Sequence, residues 1–317
     1  MHVLFIVNES AGNGKGKTVW HRLQQQLTID YEVAITQYEG HGQEIANHWA
    51  QQDDTKKLII IVGGDGTVHE VISGIVHNHA VVVGVVSAGS GNDFARFFPT
   101  FKNAKQIEAY AATDMLCASM DIGKLQLGGM QQEVFVNNAG LGFDAYVTKY
   151  INKSRLKYYF NKIGLGKLSY AAAVIRGLFR FTCFDVTVQT NSQKLHYQNV
   201  WFVATSNQPF FGGGMKISPK SKADDSKIEL TIVHNISRIK LLFIFATVFF
   251  EKHTNFRAIS FLQSDHFDII VHRQNIDCHT DGNYIGAIGQ DTIVHCTVQQ
   301  QAWNCITLEN SKNVISQ

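Results

Sequence analysis

The chain has 317 residues, 45% hydrophobic and 17% charged, an ordinary globular composition with more length than one hydrophobic core usually serves. A formal charge of +2 gives no footing for a nucleic-acid partner. Five scattered cysteines, never in a C-x-x-C pair, argue against a disulfide framework or a zinc site and fit a reducing cytoplasm.

Met1–Val7 lacks a charged n-region and reads as a first strand, not a signal peptide. A glycine-rich turn follows, then a helical pattern over Thr18–Leu27, a strand over Tyr31–Thr36 and a helix over Gln43–Gln51. Leu58–Val62 is an apolar run expected of a strand buried on both faces, followed by a helix over Val68–Val76 and another such run over Ala80–Val86. This alternation implies an α/β domain with a doubly wound parallel sheet over residues 1–121. Beyond it the texture changes. Short β-rich segments at Glu133–Asn137, Phe184–Thr190, Asn199–Thr205, Lys227–Val233, Phe267–His272 and Thr292–Val298 predict an antiparallel sandwich over residues 122–317, with the tail after Trp303 returning toward the first domain.

Two helical interludes are expected within this half, over Lys157–Phe179 and Arg238–Glu251. The longest apolar run, Leu241–Phe250, is ten residues, half of a bilayer span, so it reads as a buried or interfacial helix and no membrane-crossing segment is expected. From Ala145 to Phe184 there is no acidic residue, while Lys149, Lys153, Arg155, Lys157, Lys162, Lys167, Arg176 and Arg180 all fall there. Such a block points either to an anionic partner or to a solvated helix face. Its aromatics Tyr150, Tyr158, Tyr159, Phe160, Tyr170 and Phe179 suit docking on anionic lipid or core packing equally.

Three loops at strand ends carry the chemistry. The strand Ile59–Val62 runs into Gly63-Gly64-Asp65-Gly66-Thr67 and then a helix. Glycines there let the backbone turn sharply and let phosphate oxygens approach its amides, with Thr67 read as the helix cap. Asp65 among phosphates is costly unless it orients a metal or takes a proton. Asn8-Glu9-Ser10-Ala11-Gly12-Asn13-Gly14 follows the first strand, and Gly89-Ser90-Gly91-Asn92-Asp93 follows the fourth apolar run. Ligands in such sheets sit beyond the carboxyl ends of the strands, so the three together predict a nucleotide pocket. Gly16-Lys17-Thr18 evokes a Walker A loop, but Ala11 stands at its first glycine position and no partner strand with an acid accompanies it.

In order and spacing these loops resemble the diacylglycerol kinase family of lipid kinases. Asn8, Ala11, Gly12 and Gly14 match N-P-x-[AS]-G-x-G, with Glu9 in place of proline; Gly63–Thr67 matches G-G-D-G-T; Gly89–Arg96 matches G-T-x-N-D-F-A-R, with Ser90 for threonine. Asn137–Ala145 is similar to N-x-x-G-x-G-F-D-A, and Gly212–Pro219 to G-G-G-M-x-[IL]-x-P. The resemblance implies ATP and Mg²⁺ as cofactors. The nucleotide contacts it implies are Asn8, Glu9, Ser10, Ala11, Gly12, Thr36, Gly63, Gly64, Asp65, Gly66, Thr67, Val68, His69, Glu70, Ser90 and Asn92. It also implies a structural Mg²⁺ held by the Asp225 carboxylate and the carbonyls of Lys222 and Lys227, with Ser226 where the family has glycine. Its implied reaction is phosphorylation of a lipid hydroxyl, on diacylglycerol or a related lipid, by a cytoplasmic enzyme peripheral to an anionic membrane, and relatives suggest a homodimer.

Asp281-Gly282-Asn283 departs from the family's D-G-E, whose glutamate is its active-site carboxylate. Asn283 cannot accept a proton at neutral pH. Asp65 or Asp281 then takes the proton, or the chemistry is slow, or the chain is a nucleotide- or lipid-binding relative. A second enzyme reading is an NAD kinase, which shares the G-G-D-G-T loop; the N-D-F-A-R and G-G-G-M segments favour the lipid branch.

Overall fold

The computed structural model describes residues 2–52, 55–113, 116–153 and 174–308. The chain forms two compact units, one running to Asp121 and taking up the chain again from Gln300, the other Ile122–Gln299.

In the first unit, β1 (His2–Val7), β2 (Glu32–Ile35), β3 (Lys57–Gly63) and β4 (Val81–Ser87) form a parallel sheet in the order β2-β1-β3-β4. The end of β17 (Thr292–Ile306) lies parallel beside β4, with Asn304 opposite Val82 and Cys305 opposite Val83. Every residue of β3 is buried, which is why it reads as an unbroken apolar run. Its one exception in sequence is Lys57, whose Nζ donates to Trp49 O at 3.1 Å and Ala50 O at 3.3 Å. Those carbonyls end α2 (His41–Ala50), where the helix dipole favours a cation.

The helices α1 (Ala11–Gln24), α2 and α3 (Asp65–Ile75) follow β1, β2 and β3 in turn. Two short helices, α4 (Phe94–Phe97) and α5 (Ala104–Ala111), were not expected from the sequence; the second is capped by Asn103 Oδ1, which accepts the Gln106 N–H at 3.0 Å. The helix expected from Thr18 starts earlier, because Gly12, Asn13 and Gly14 take left-handed conformations that bend the chain into it.

In the second unit the strands pair antiparallel. β9 (Lys194–Ser206) is the hub, pairing with β7 (Asn138–Gly142), β8 (Phe184–Gln189) and β12 (Ile228–His234). Beyond β7 come β15 (Ile276–Thr280) and β16 (Asn283–Ile288); beyond β8 comes β14 (His266–Val271), then the first half of β17; beyond β12 comes β13 (Ile259–Ser264). β5 (Cys117–Leu127) and β6 (Gln132–Phe135) make a hairpin, and β10 (Phe210–Phe211) with β11 (Met215–Lys216) a smaller one. α6 (Phe143–Lys153) and α7 (Arg238–Val248) pack on this β-rich body around an aromatic nucleus, Phe143 lying 5.6 Å from both Phe181 and Trp201. Of the helix expected over Lys157–Phe179, residues 174–180 are helical; the rest, with Tyr158, Tyr159, Phe160 and Tyr170, lies outside the described residues. Among the described residues no helix is long and apolar enough to cross a membrane.

Candidate active site

Three strand-end loops of the first unit meet at backbone contact. The Asn8 N–H donates to Val62 O at 2.9 Å, prolonging the β1–β3 ladder by one residue. Its Nδ2 donates to Thr67 Oγ1 at 3.0 Å while its Oδ1 accepts the Ser10 N–H at 3.1 Å, so one side chain joins the first loop to the Gly63–Thr67 loop. Gly12 (φ +57°) lies so close to the third loop that an added Cβ would collide with Ala88 O, and one on Gly16 would collide with Asn8 O. A Cβ on Gly64 would fall 2.9 Å from Gly89 Cα. The Ala88 N–H closes the seam on Gly63 O at 2.7 Å. No side chain fits through these approaches, which is the physical demand the glycines meet.

α3 begins at Asp65 with Gly64 as its N-cap and without a capping side chain. Thr67 therefore is not the cap the sequence suggested. It lies inside the first turn, 4% exposed, as the acceptor for Asn8. Asp65 Oδ1 accepts the Phe94 N–H at 2.9 Å, tying this helix start to the third loop. There Asn92 sits at φ +54°, its Nδ2 donating to Gly89 O at 3.0 Å, and Arg96 donates to the carbonyls of Gly91 and Asn92 at 2.9 and 3.2 Å. Ser90 is exposed at the loop's tip. Amides at a helix start flanked by two glycine loops make a concavity suited to phosphate oxygens.

Val68 is core, 1% exposed. Glu70 turns to α2, each carboxylate oxygen accepting a backbone N–H, from Gly40 and Gly42, at 3.0 Å. His69 is half-buried on α3, its carbonyl accepting Ser73 Oγ. Glu9 is half-buried and Ser10 exposed in the first loop. Thr36 stands at the end of β2, its N–H donating to Val7 O at 2.9 Å.

In the second unit, Asp281 and Gly282 are the two turn residues between β15 and β16, both left-handed at φ +47° and +82°, as a tight hairpin requires. The Asp281 carboxylate accepts three backbone N–H groups, from Val136 at 2.7 Å, Asn137 at 2.8 Å and Asn138 at 3.0 Å. That occupies both oxygens in holding the strand entry of β7. Asn283 opens β16 opposite Thr280, half-buried, its side chain without a hydrogen-bond partner among the described residues.

Beneath this turn lies a pair the sequence did not single out. His279, fully buried, bonds Asp144 Oδ2 through Nε2 at 3.2 Å and accepts the Gly282 N–H through Nδ1 at 3.3 Å. Gly140 is glycine because this pair fills the place of its side chain. The Phe211 ring stacks on His279 at 5.8 Å, carried by the β10–β11 hairpin whose Gly212, Gly213 and Gly214 all have positive φ. The available signal was position: His279 precedes Asp281 by two, and Asp144 sits in the Gly142-Phe143-Asp144-Ala145 motif. Nearby, Lys149 of the basic segment is paired with Asp277 at 2.6 Å, a hydrogen bond that holds its amine above its ordinary pKa.

The loop at Lys222–Lys227 is a turn closed by Asp225, whose Oδ1 accepts the Lys227 N–H at 3.1 Å and whose Oδ2 accepts from Gln263 Nε2 at 3.2 Å. Ser226 holds the left-handed conformation, φ +60°, that glycine adopts without strain. One carboxylate and two carbonyls are hard-oxygen donors of the class Mg²⁺ takes. Among the described residues, no group of three or more His, Cys, Asp or Glu is placed to hold a metal.

Residues 2–125 match the family model described as diacylglycerol kinase catalytic domain, and residues 137–303, more than half of the chain, match the YegS C-terminal NAD kinase beta sandwich-like domain. The chain belongs to the diacylglycerol kinase family. Membership in this family of lipid kinases makes it a kinase, a phosphotransferase. It is 28% identical over 291 residues to "Putative lipid kinase YtlR" of Bacillus subtilis (strain 168), covering 90% of this chain and 94% of that one. It is 26% identical over 228 residues to a diacylglycerol kinase of Mycobacterium tuberculosis (strain H37Rv), covering 71% and 70%. Among solved structures, a "putative diacylglycerol kinase" from Bacillus anthracis str. Sterne superimposes with a TM-score of 0.71 at 22% identity over 97% of each chain. Yeast NADH kinase does so at 0.58 and 10% identity, over 99% of this chain and 86% of that one. At such identities the structural likeness speaks for the fold alone.

Proposed function

We propose that this diacylglycerol kinase family member transfers the γ-phosphoryl group of ATP to a hydroxyl of a membrane lipid, diacylglycerol or a relative of it. The observation that carries this reading is the backbone seam of Gly12 on Ala88 and Gly64 on Gly89, set around the uncapped start of α3. The amides of Gly12, of residues 64–67 and of residues 89–92 would cradle the triphosphate, while the Ser10 and Ala11 amides are taken by Asn8 and shape the loop; Mg²⁺ held beside Asp65 would supply neutralisation of phosphate charge. Asp65, half-buried at the helix start, is the carboxylate that takes the acceptor's proton or orients the metal. Asp281 is less suited to that task, since three amides already hold it. Phosphoryl transfer depends chiefly on positioning and charge neutralisation, so Asn283 slows the reaction without abolishing it. At Lys222–Lys227, Mg²⁺ held by Asp225 and the two carbonyls would stiffen the loop.

The test is labelled ATP offered with a panel of lipids in micelles, and with NAD. Label moving into organic solvent supports a lipid acceptor; label entering NAD alone overturns the substrate class. Asp65→Asn is expected to lower turnover about 10²–10⁴-fold, the range lost with a general base, and Asn283→Glu to raise it.

A further inference from the structure

α7 carries apolar residues on both of its faces, its two charges, Arg238 and Lys240, falling in the first turn. Leu241, Ile244 and Val248 face the β-rich body and are at most 3% exposed. The opposite face carries Ile239 and Phe243, each 70% exposed, with Leu242 between them at 42%. A helix apolar on both faces is normally enclosed, so an open half needs a partner. The exposure continues past the helix end through Phe249 (54%) and Phe250 (74%), and past the turn Lys252–Asn255 to Phe256 (43%).

The helical residues 174–180 extend the patch. Arg238, at the start of α7, donates through Nε to Leu178 O at 2.8 Å and through its terminal amine to Phe181 O at 3.5 Å. That clamp sets Phe179, 74% exposed, beside the helix start. The charge around these rings has one sign. Arg180, Lys240, Lys252 and Arg257 are exposed cations. The only acid between Ser237 and Phe256 is Glu251, which Lys216 already pairs at 2.5 Å. Residues 174–184 contain none.

We infer that this face of α7, with Phe249–Arg257 and Phe179, docks on the surface of an anionic phospholipid bilayer. Interleaved exposed aromatics and cations suit the headgroup boundary, where rings enter the acyl edge and amines meet lipid phosphate. A second copy would set cation against cation. Eleven helical residues are too few to span, so α7 lies along the surface. The inference rests on the lipid-kinase reading for its biological sense, but its test is separable from it.

The full-length protein is sedimented with vesicles of phosphatidylglycerol and phosphatidylcholine, or of phosphatidylcholine alone, at low and high salt. Wild type is expected to bind the anionic vesicles and to be released by salt. Phe243→Ser with Phe250→Ser, and separately Lys240→Glu with Arg257→Glu, should weaken that binding about tenfold or more. Both pairs should leave the melting temperature and phosphorylation of a dispersed short-chain lipid unchanged. The inference is overturned if both pairs sediment like wild type, if they melt lower because the face is enclosed by protein, or if they abolish a lipid-independent dimer. Vesicle binding lost in the variants, with no lipid phosphorylated by wild type, upholds the docking face and removes the proposed reaction. Lipid phosphorylation with unaltered variant binding does the reverse.

Discussion

Asp281 shows how a motif residue takes its conservative-looking chemistry into the backbone. Its carboxylate receives three amides at 2.7–3.0 Å, and hydrogen bonds to a charged acceptor are worth about 1.5–3 kcal/mol each. Asp281→Asn keeps one acceptor oxygen and turns an amide toward a donor, so it is expected to cost about 2–4 kcal/mol in urea unfolding. Asn283→Glu, at a half-buried side chain without a partner among the described residues, should change stability little. A stable but inactive Asp281→Asn enzyme would instead place that carboxylate in the chemistry. Glu229 is the other residue with a measurable consequence. It is 6% exposed on β12, and burial pushes its carboxyl from 4.5 up to about 7, against the lowering effect of the Ser221 hydroxyl at 3.2 Å. The folded state thus keeps a proton that the unfolded chain releases. Its contribution is complete below the ordinary carboxylate range and is lost as pH rises through 7. Thermal melts should therefore fall between about pH 5 and 8, and Glu229→Gln should flatten that slope and stabilise the protein by up to about 3 kcal/mol at pH 8. An unchanged slope would show that Glu229 ionises freely in the fold.

At the scale of elements, the first loop depends on two glycines for different reasons. Gly12 has φ +57° and faces Ala88 O; Gly16 has ordinary helical geometry but faces Asn8 O. Gly14 has φ +85° and nothing within 4 Å of its missing Cβ. Gly14→Ala should therefore cost only the left-handed penalty of about 1–2 kcal/mol. Gly16→Ala, pressed against backbone, should cost more and also weaken ATP binding by moving Asn8 off Thr67; calorimetric titration and melting of both variants decide this. Equal ATP affinity in the two would sink the idea that this seam shapes the site. The parallel strands were legible in sequence because burial on both faces makes β1, β3 and β4 continuous apolar runs. The three loops were legible because glycine clusters fell at the ends of those runs. β7 and β15 were not. β7 reads Asn-Ala-Gly-Leu-Gly, with two glycines of poor strand propensity, and β15 reads Ile-Asp-Cys-His-Thr, five buried residues without alternation. Their polar side chains are paid for by tertiary partners, His279 by Asp144 and Asp277 by Lys149, which a linear pattern does not display. Nor does the linear pattern display that Glu70 accepts the Gly40 and Gly42 amides at the start of α2.

At the scale of the whole molecule, the chain divides into two units, with β5 and β17 running from one into the other. The three-loop seam belongs wholly to the first, while the Asp281 turn, the buried His279–Asp144 pair and α7 belong to the second. Chain connectivity passes from one unit to the other within β5, between Asp121 and Ile122, and returns within β17, between Gln299 and Gln300. A ligand stabilises whatever must be folded to bind it, by about 2.7 kcal/mol when present at 100 times its dissociation constant. If the triphosphate is held by the first unit, ATP with Mg²⁺ at that concentration should slow hydrogen exchange of the β1, β3 and β4 amides by about 100-fold. The β12 and β13 amides, whose pairings with each other and with β9 lie within the second unit, should gain no such protection if that unit opens independently. Equal gains in both would show that the two units open as one cooperative body, continuous through β5 and β17. Protection absent from β1, β3 and β4 would remove the triphosphate from the seam of Gly12, Gly64, Ala88 and Gly89, and with it the kinase mechanism built on that seam.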